Sequence, residues 1–366
     1  MSSLSDPRTE VIDAFLASAG DGWGQARRQP LGQDASTRRY IRLFRADGQT
    51  ALLMDAPRVE SDPCPPDANA ATRLKMGWNA MTRLAASRVE AFALISDHLR
   101  SLGLKAPNVL RFDPVAGLAL IEDFGDSREF ARLIERGEAQ ETPLYIAAAE
   151  RLAKLHAAPV PKSLSKDGIV WPILEFDNVA LAANADLYAD WLPAEIGQGP
   201  LDGAARARWE AERDGLIAQA MAFPRAFTLR DYHAENLLWL PDGEVGLLDF
   251  QDAVLGWDAW DLAMLTQDAR RNVSNEAAEA AIGRFLDLTG QGRTEFDERL
   301  AVIGALNALR IAGVFSRLQH RDGKRRYADF QPRQLQLLAR NLSHPALGGM
   351  AAFVRETTPF VFEGKV

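Results

Sequence analysis

"LRDYHAENLLWL", residues 229–240, runs directly into "PDGEVGLLDFQDA", residues 241–253. The first stretch sets Asp231, His233, Glu235 and Asn236 among apolar residues, and the second carries Asp249 on the run "EVGLLDF". Two readings compete. One is a polar turn between buried strands, in which Asn236 and Asp249 make local turn bonds. The other is a functional loop followed by a short β-ribbon. An aspartate and an asparagine on one tight loop can point into a cleft from opposite ends, and the ribbon then returns a second aspartate beside the asparagine. Phosphoryl transfer needs such a set: a carboxylate near an acceptor hydroxyl, and a metal that holds and neutralises phosphates. Hard oxygen atoms from Asn and Asp suit Mg²⁺.

Upstream, the pattern predicts a small α+β region. "TEVIDAFLASAG" (9–20) has helical spacing and ends in glycine. "RYIRLFR", the turn "ADGQ" and "TALLMDA" read as a β-hairpin, and "VLRFDPVAGLALIED" reads as a second one. "ASRVEAFALISDHLRSLGL" (86–104) reads as a helix between them, and the proline-rich "PRVESDPCPPDANAA" as a loop. Downstream the pattern is mainly helical, at 142–159, 201–223, 258–271, 275–290 and 295–322. At 366 residues the chain exceeds one ordinary core. The boundary is placed at 125/126, with residues 1–125 as the small lobe and 126–366 as the large one. A cleft between lobes is where ligands tend to bind.

Composition narrows the function. A net charge of −8 argues against broad binding of a nucleic-acid backbone. One cysteine, Cys64, excludes an intramolecular disulfide and fits a reducing compartment. There is no apolar signal core, and no run reads as a membrane span, so the expected location is the cytoplasm.

The loop resembles the D-x-H-x-x-N catalytic loop of the aminoglycoside phosphotransferase and choline kinase superfamily, which has the bilobal protein-kinase fold. The usual His-Gly-Asp is here Leu229-Arg230-Asp231. By that resemblance Asp231 is the catalytic base, Asn236 and Asp249 are metal ligands, and ATP with Mg²⁺ is implied. "GQDASTRRYIRL", "LLMDAP", "LRDYHAENLLWLP", "GLLDFQDAVLG" and "WDLAMLTQDARRNV" together resemble bacterial anomeric kinases for N-acetylmuramate and N-acetylglucosamine, over roughly 31–345. The resemblance implies a small-molecule sugar as partner, in cell-wall recycling. Kinases for aminoglycosides, choline or homoserine are the alternatives, as is a non-catalytic ATP-binding scaffold.

"IEDFGD" (121–126) contains Asp123-Phe124-Gly125, which binds metal in protein kinases only when it lies downstream of the catalytic loop. Here it lies upstream, and the resemblance makes it the hinge. There the Glu122 carbonyl and Phe124 N–H would meet adenine. In "GQDASTRRY" small and hydroxyl residues let backbone N–H groups approach phosphate, so Ser36, Thr37 and Arg38 are nucleotide-binding candidates. The strand lysine of kinases is replaced by Met54, leaving Glu90 without its usual partner, and Arg38, Arg39 or Lys75 could supply the charge.

A lactyl carboxylate suits an arginine fork. Arg230, Arg270 and Arg271 are the substrate-binding candidates, with Arg310 and Arg317 on a later helix. Each could equally complement a helix end or face solvent. Trp239, Trp257 and Trp260 could cage choline, or pack as core. His233 is expected to brace the loop, and His156 to pack or cap.

Overall fold

The computed structural model describes residues 6–32, 38–58 and 64–363. Asp6 caps helix α1 (Pro7–Ser18) by accepting from the Arg8 N–H. Strands β1 (Arg27–Pro30), β2 (Arg39–Phe44) and β3 (Thr50–Asp55) follow. Helices α2 (Ala70–Met76), α3 (Trp78–Thr82) and α4 (Val89–Ser101) lead to β4 (Val109–Asp113) and β5 (Leu118–Glu122). The five strands form one antiparallel sheet in the order β1-β2-β3-β5-β4. Both expected hairpins are present, as β2–β3 and β4–β5. The sequence reading missed β1, whose "RRQP" shows no apolar alternation because it is an outer, largely exposed strand. It also missed α3, and α2 begins inside the stretch read as loop.

Beyond residue 125 helices dominate. They are α5 (Phe130–Glu135), α6 (Glu141–His156), the hairpin β6 (Ser163–Lys166) and β7 (Ile169–Pro172), α7 (Asn178–Trp191) and α8 (Gly203–Met221). Four short strands come next, β8 (Arg225–Thr228), β9 (Leu237–Trp239), β10 (Val245–Leu247) and β11 (Val254–Trp257). The chain ends in α9 (Asp258–Thr266), α10 (Asn275–Thr289), α11 (Arg293–His320), α12 (Gln331–Leu342), α13 (Gly348–Thr357) and α14 (Phe360–Glu363). α9 stops at Thr266, so Arg270 and Arg271 lie in an irregular segment and not on a helix end. By length and composition α11 could cross a membrane, against the expectation that no run does. However, 83% of its apolar window is buried inside the fold, as in a central core helix.

Alternation along β3 serves two cores. Leu53 faces a small core with Ile12, Phe15 and Leu16 of α1, while Met54 faces the large core. That large core is continuous between the sheet and the helices, joining Phe92 and Ile121 to Phe227 and Phe250. α4 carries the join: Phe92 stacks on Phe250 with centroids 4.7 Å apart. The residue after Asp249 is thus clamped to the sheet-side helix.

Candidate active site

The loop 229–236 follows β8 and is tethered to buried groups. Arg230 has φ +79° and Asp249 has φ +56°, a left-handed backbone that costs non-glycine residues energy. Buried Asp261 on α9 holds the first of these. Its two oxygens accept from the Leu229 N–H at 2.7 Å and the Arg230 N–H at 2.8 Å. Burial pushes the Asp261 carboxyl up to about 7, although the two N–H bonds pull it down. Trp260 Nε1 donates to the Arg230 carbonyl, and the Tyr232 hydroxyl donates to the Ala148 carbonyl on α6. At the far end the Leu248 N–H closes on the Asn236 carbonyl, which brings β10 back beside the loop.

Within this frame Asn236 Nδ2 donates to the Asp231 carbonyl at 2.9 Å and approaches His233 Nε2 at 3.3 Å. Arg270 Nη1 reaches the same His233 Nε2 at 3.2 Å. Both neighbours are donors, so Nε2 is the acceptor, and His233 braces the loop. Asn236 Oδ1 is left over as an oxygen donor. The half-buried Asp231 carboxylate makes no hydrogen bond or ion pair with the described residues and lines a cavity of about 100 Å³. Asp249 is 41% exposed at its side chain. Its Oδ1 accepts from Gln251 Nε2 at 2.9 Å and from Arg38 Nη2 at 3.1 Å.

Arg38 therefore carries positive charge from the sheet to the aspartate of the ribbon. Arg39 does not, since it pairs with Asp55, and Lys75 is exposed on α2. Buried Glu90 has no ion-pair partner among the described residues. Ser36 and Thr37 lie outside the described residues.

The familiar-looking triplet is tied up. Arg42 of β2 bonds the Asp123 carboxylate at 2.8 Å and also bonds Asp126, and the Gly125 N–H donates to Asp123 at 3.0 Å. Asp123 is thus saturated, while the Phe124 N–H makes no bond among the described residues. The Phe124 ring lies on the backbone of Gly246, where an added Cβ would stand 3.2 Å from two ring carbons. Glu122 ends β5 and exchanges bonds with Asn108, its N–H to the Asn108 carbonyl and its Oε2 from the Asn108 N–H.

Of the three arginine candidates only Arg270 lines the cavity of Asp231. The Arg230 guanidinium is buried, donates to the carbonyls of Thr82 and Arg83, and lies over the Phe176 ring. Desolvation at that site lowers its pKa. Arg271 is engaged by Tyr145 and Glu141. Trp257 and Trp260 are buried core and Trp239 packs on Phe130, so these residues form no cage. His156 meets Phe285 edge-on.

Among the described residues no cluster of three or more His, Cys, Asp or Glu could hold a metal. Asn236 Oδ1 and the open side of Asp249 fit a hard cation that takes most of its shell from phosphate and water.

The sequence pattern of the phosphotransferase enzyme family matches residues 27–299. The chain belongs to that family. It is an enzyme that transfers phosphate to a small molecule, with the expected fold: a small antiparallel sheet region followed by a mainly helical one. The N-acetylmuramate/N-acetylglucosamine kinase of Caulobacter vibrioides is 46% identical, with 98% of each chain covered. The protein of the same name from Pseudomonas aeruginosa is 28% identical, with 90% of each covered. In fold, the chain is similar to a choline/ethanolamine kinase family protein from Mesorhizobium loti. The TM-score is 0.56 at 18% identity, covering 95% of this chain and 99% of that one.

The sequence reading missed Asp261, Asp268 and Asn307. "WDLAMLTQD" carried the signal for the first two, as acidic residues on an otherwise apolar helical run.

Proposed function

We propose that this chain is an ATP-dependent kinase that phosphorylates the anomeric hydroxyl of N-acetylmuramate or N-acetylglucosamine. The observation that carries the phosphoryl-transfer chemistry is the Asp231 carboxylate in a cavity, unengaged by any described residue, with Asn236 and Asp249 on the same loop and ribbon. The relative in Caulobacter vibrioides supports the sugar pair, because its likeness extends over both chains.

In this reading Asp231 orients the acceptor hydroxyl and takes its proton as the oxygen attacks the γ-phosphorus of ATP and ADP departs. His233 and Asn236 keep Asp231 in place. Asn236 and Asp249 would hold Mg²⁺, which supplies charge neutralisation for the phosphates. Arg38 adds positive charge on the sheet side, in place of the lysine that Met54 replaces, and Ser36 and Thr37 are further phosphate-side candidates. The Glu122 carbonyl and the Phe124 N–H take the adenine edge at the boundary between lobes 1–125 and 126–366. Arg230 and Arg271 hold the framework. A single cysteine and the use of ATP support a cytoplasmic location.

The test is coupled ADP release over a panel of N-acetylated amino sugars, aminoglycosides, choline and homoserine, with ³¹P detection of a 1-phosphate. Turnover of either N-acetyl sugar, lost by orders of magnitude in Asp231→Asn with ATP still bound, is the expected result. Near-normal turnover in that variant, or turnover of a different acceptor alone, overturns the proposal.

A further inference from the structure

The cavity beside Asp231 contains two groups that the transfer step does not use. Arg310 of α11 is one. It is half-buried, and its Nε and Nη2 share one neutral acceptor, Asn307 Oδ1, at 3.1 and 2.9 Å. Among the described residues it has no carboxylate partner. Burial, with Arg230 and Arg270 near it, lowers its pKa to about 10, and Asp231 offsets only part of this. A desolvated guanidinium without an anion is costly to retain, and the deficit is met when an anion binds. Asp268 is the other group. It is 3% exposed and lines the same wall. Its Oδ1 accepts from the Arg270 N–H, while its Oδ2 is buried with no hydrogen-bond partner among the described residues. An orphaned buried carboxylate oxygen points to a donor that arrives with the ligand. Ile311, Val314 and Phe315 make the remaining wall apolar.

The cavity thus presents a cation fork, a buried acceptor and an apolar face within reach of the base. That is the complement of a sugar with a carboxylate, a hydroxyl or amide N–H, and a methyl group. We infer that Arg310 is the specificity residue that reads the acceptor's carboxylate, with Asp268 Oδ2 accepting from a ring hydroxyl or the acetamido N–H. This rests on the sugar-kinase reading above. Under it N-acetylmuramate, which has the lactyl carboxylate, gains a charge-assisted contact that N-acetylglucosamine lacks.

The experiment measures kcat/KM for both sugars in the wild type, Arg310→Gln and Arg310→Lys. The selectivity for N-acetylmuramate over N-acetylglucosamine should fall by about 10- to 100-fold in Arg310→Gln, the worth of a buried charge-assisted contact. It should fall less in Arg310→Lys, which keeps the charge and loses the fork. The amide of N-acetylmuramate supplies a second test. The wild type should prefer the acid to the amide, and Arg310→Gln should lose that preference. Equal losses with both sugars, or a wild type indifferent to the amide, overturn the inference while leaving the kinase reading intact. A wild type that turns over neither sugar overturns the reading itself.

Discussion

Replacing Asp261 by Asn separates loop geometry from overall stability. Asp261 is fully buried and receives two backbone N–H groups, at 2.7 and 2.8 Å. Asn offers one acceptor oxygen and one NH₂, so one of the two N–H groups faces a donor. Leaving a buried N–H unsatisfied costs about 1–3 kcal/mol. The cost falls on Arg230, whose left-handed φ already stores strain of about 1–3 kcal/mol. The loop should relax there, one residue before Asp231. Expressed in the transition state, 1–3 kcal/mol is roughly a 5- to 150-fold loss of kcat. Stability should follow a different course. The folded carboxyl titrates near 7 against an ordinary 3.8. Between those values the native state binds a proton that the unfolded chain lacks. The wild type therefore loses stability as pH rises from about 4 to 7, by up to about 4 kcal/mol, and the slope ends above 7. Asn does not titrate. Asp261→Asn should be less stable than wild type at both pH 5 and pH 8, with the gap wider at pH 5, while kcat stays depressed at both. Urea unfolding and kcat at pH 5, 6.5 and 8 read this directly. A pH-independent stability difference together with wild-type kcat would refute the argument.

Asp249→Ala should abolish Mg²⁺-dependent ATP binding, as measured by calorimetry with and without the metal; an unchanged nucleotide Kd counts against Asp249 as a ligand. His156, whose ring nitrogens are buried, has its pKa lowered to about 4 by desolvation. Its stabilising effect is complete above pH 6.5 and is lost as pH falls towards 4, by up to about 3 kcal/mol, so His156→Leu should flatten the acid limb of urea midpoints. A limb unchanged in that variant would place the acid sensitivity elsewhere. Gly246→Ala sets a methyl 3.2 Å from the Phe124 ring, and, under the proposed adenine contact, displacing Phe124 should raise the ATP KM by roughly threefold to tenfold with little change in folding. An unaltered KM would remove Phe124 from the nucleotide site.

Much of this was legible along the chain. Turn chemistry and alternation marked the β2–β3 and β4–β5 hairpins, and apolar periodicity marked α4, α6, α8, α10 and α11, because those signals are local. The spacing of Asp231, Asn236 and Asp249 was legible for the same reason: one loop and one ribbon hold all three. β1 was not, since an exposed outer strand takes its place from pairing with β2 and not from its own residues. Nor could composition show that the apolar run of α11 is core.

Residue order alone dictates which side chains carry charge and which stretches can bend, pair or coil. Which carboxylates remain available depends on contacts made in the folded chain. Asp123 and Asp231 are the same residue type in similar polar motifs. Arg42, far away in the chain, saturates Asp123, whereas among the described residues the cavity wall leaves Asp231 unpaired. Arg230 and Arg310 divide in the same way: one spends its guanidinium on the carbonyls of Thr82 and Arg83, and the other has, among the described residues, only an asparagine oxygen. Desolvation and partner geometry set the free energy of a charged group, and both are properties of contacts between residues remote in sequence.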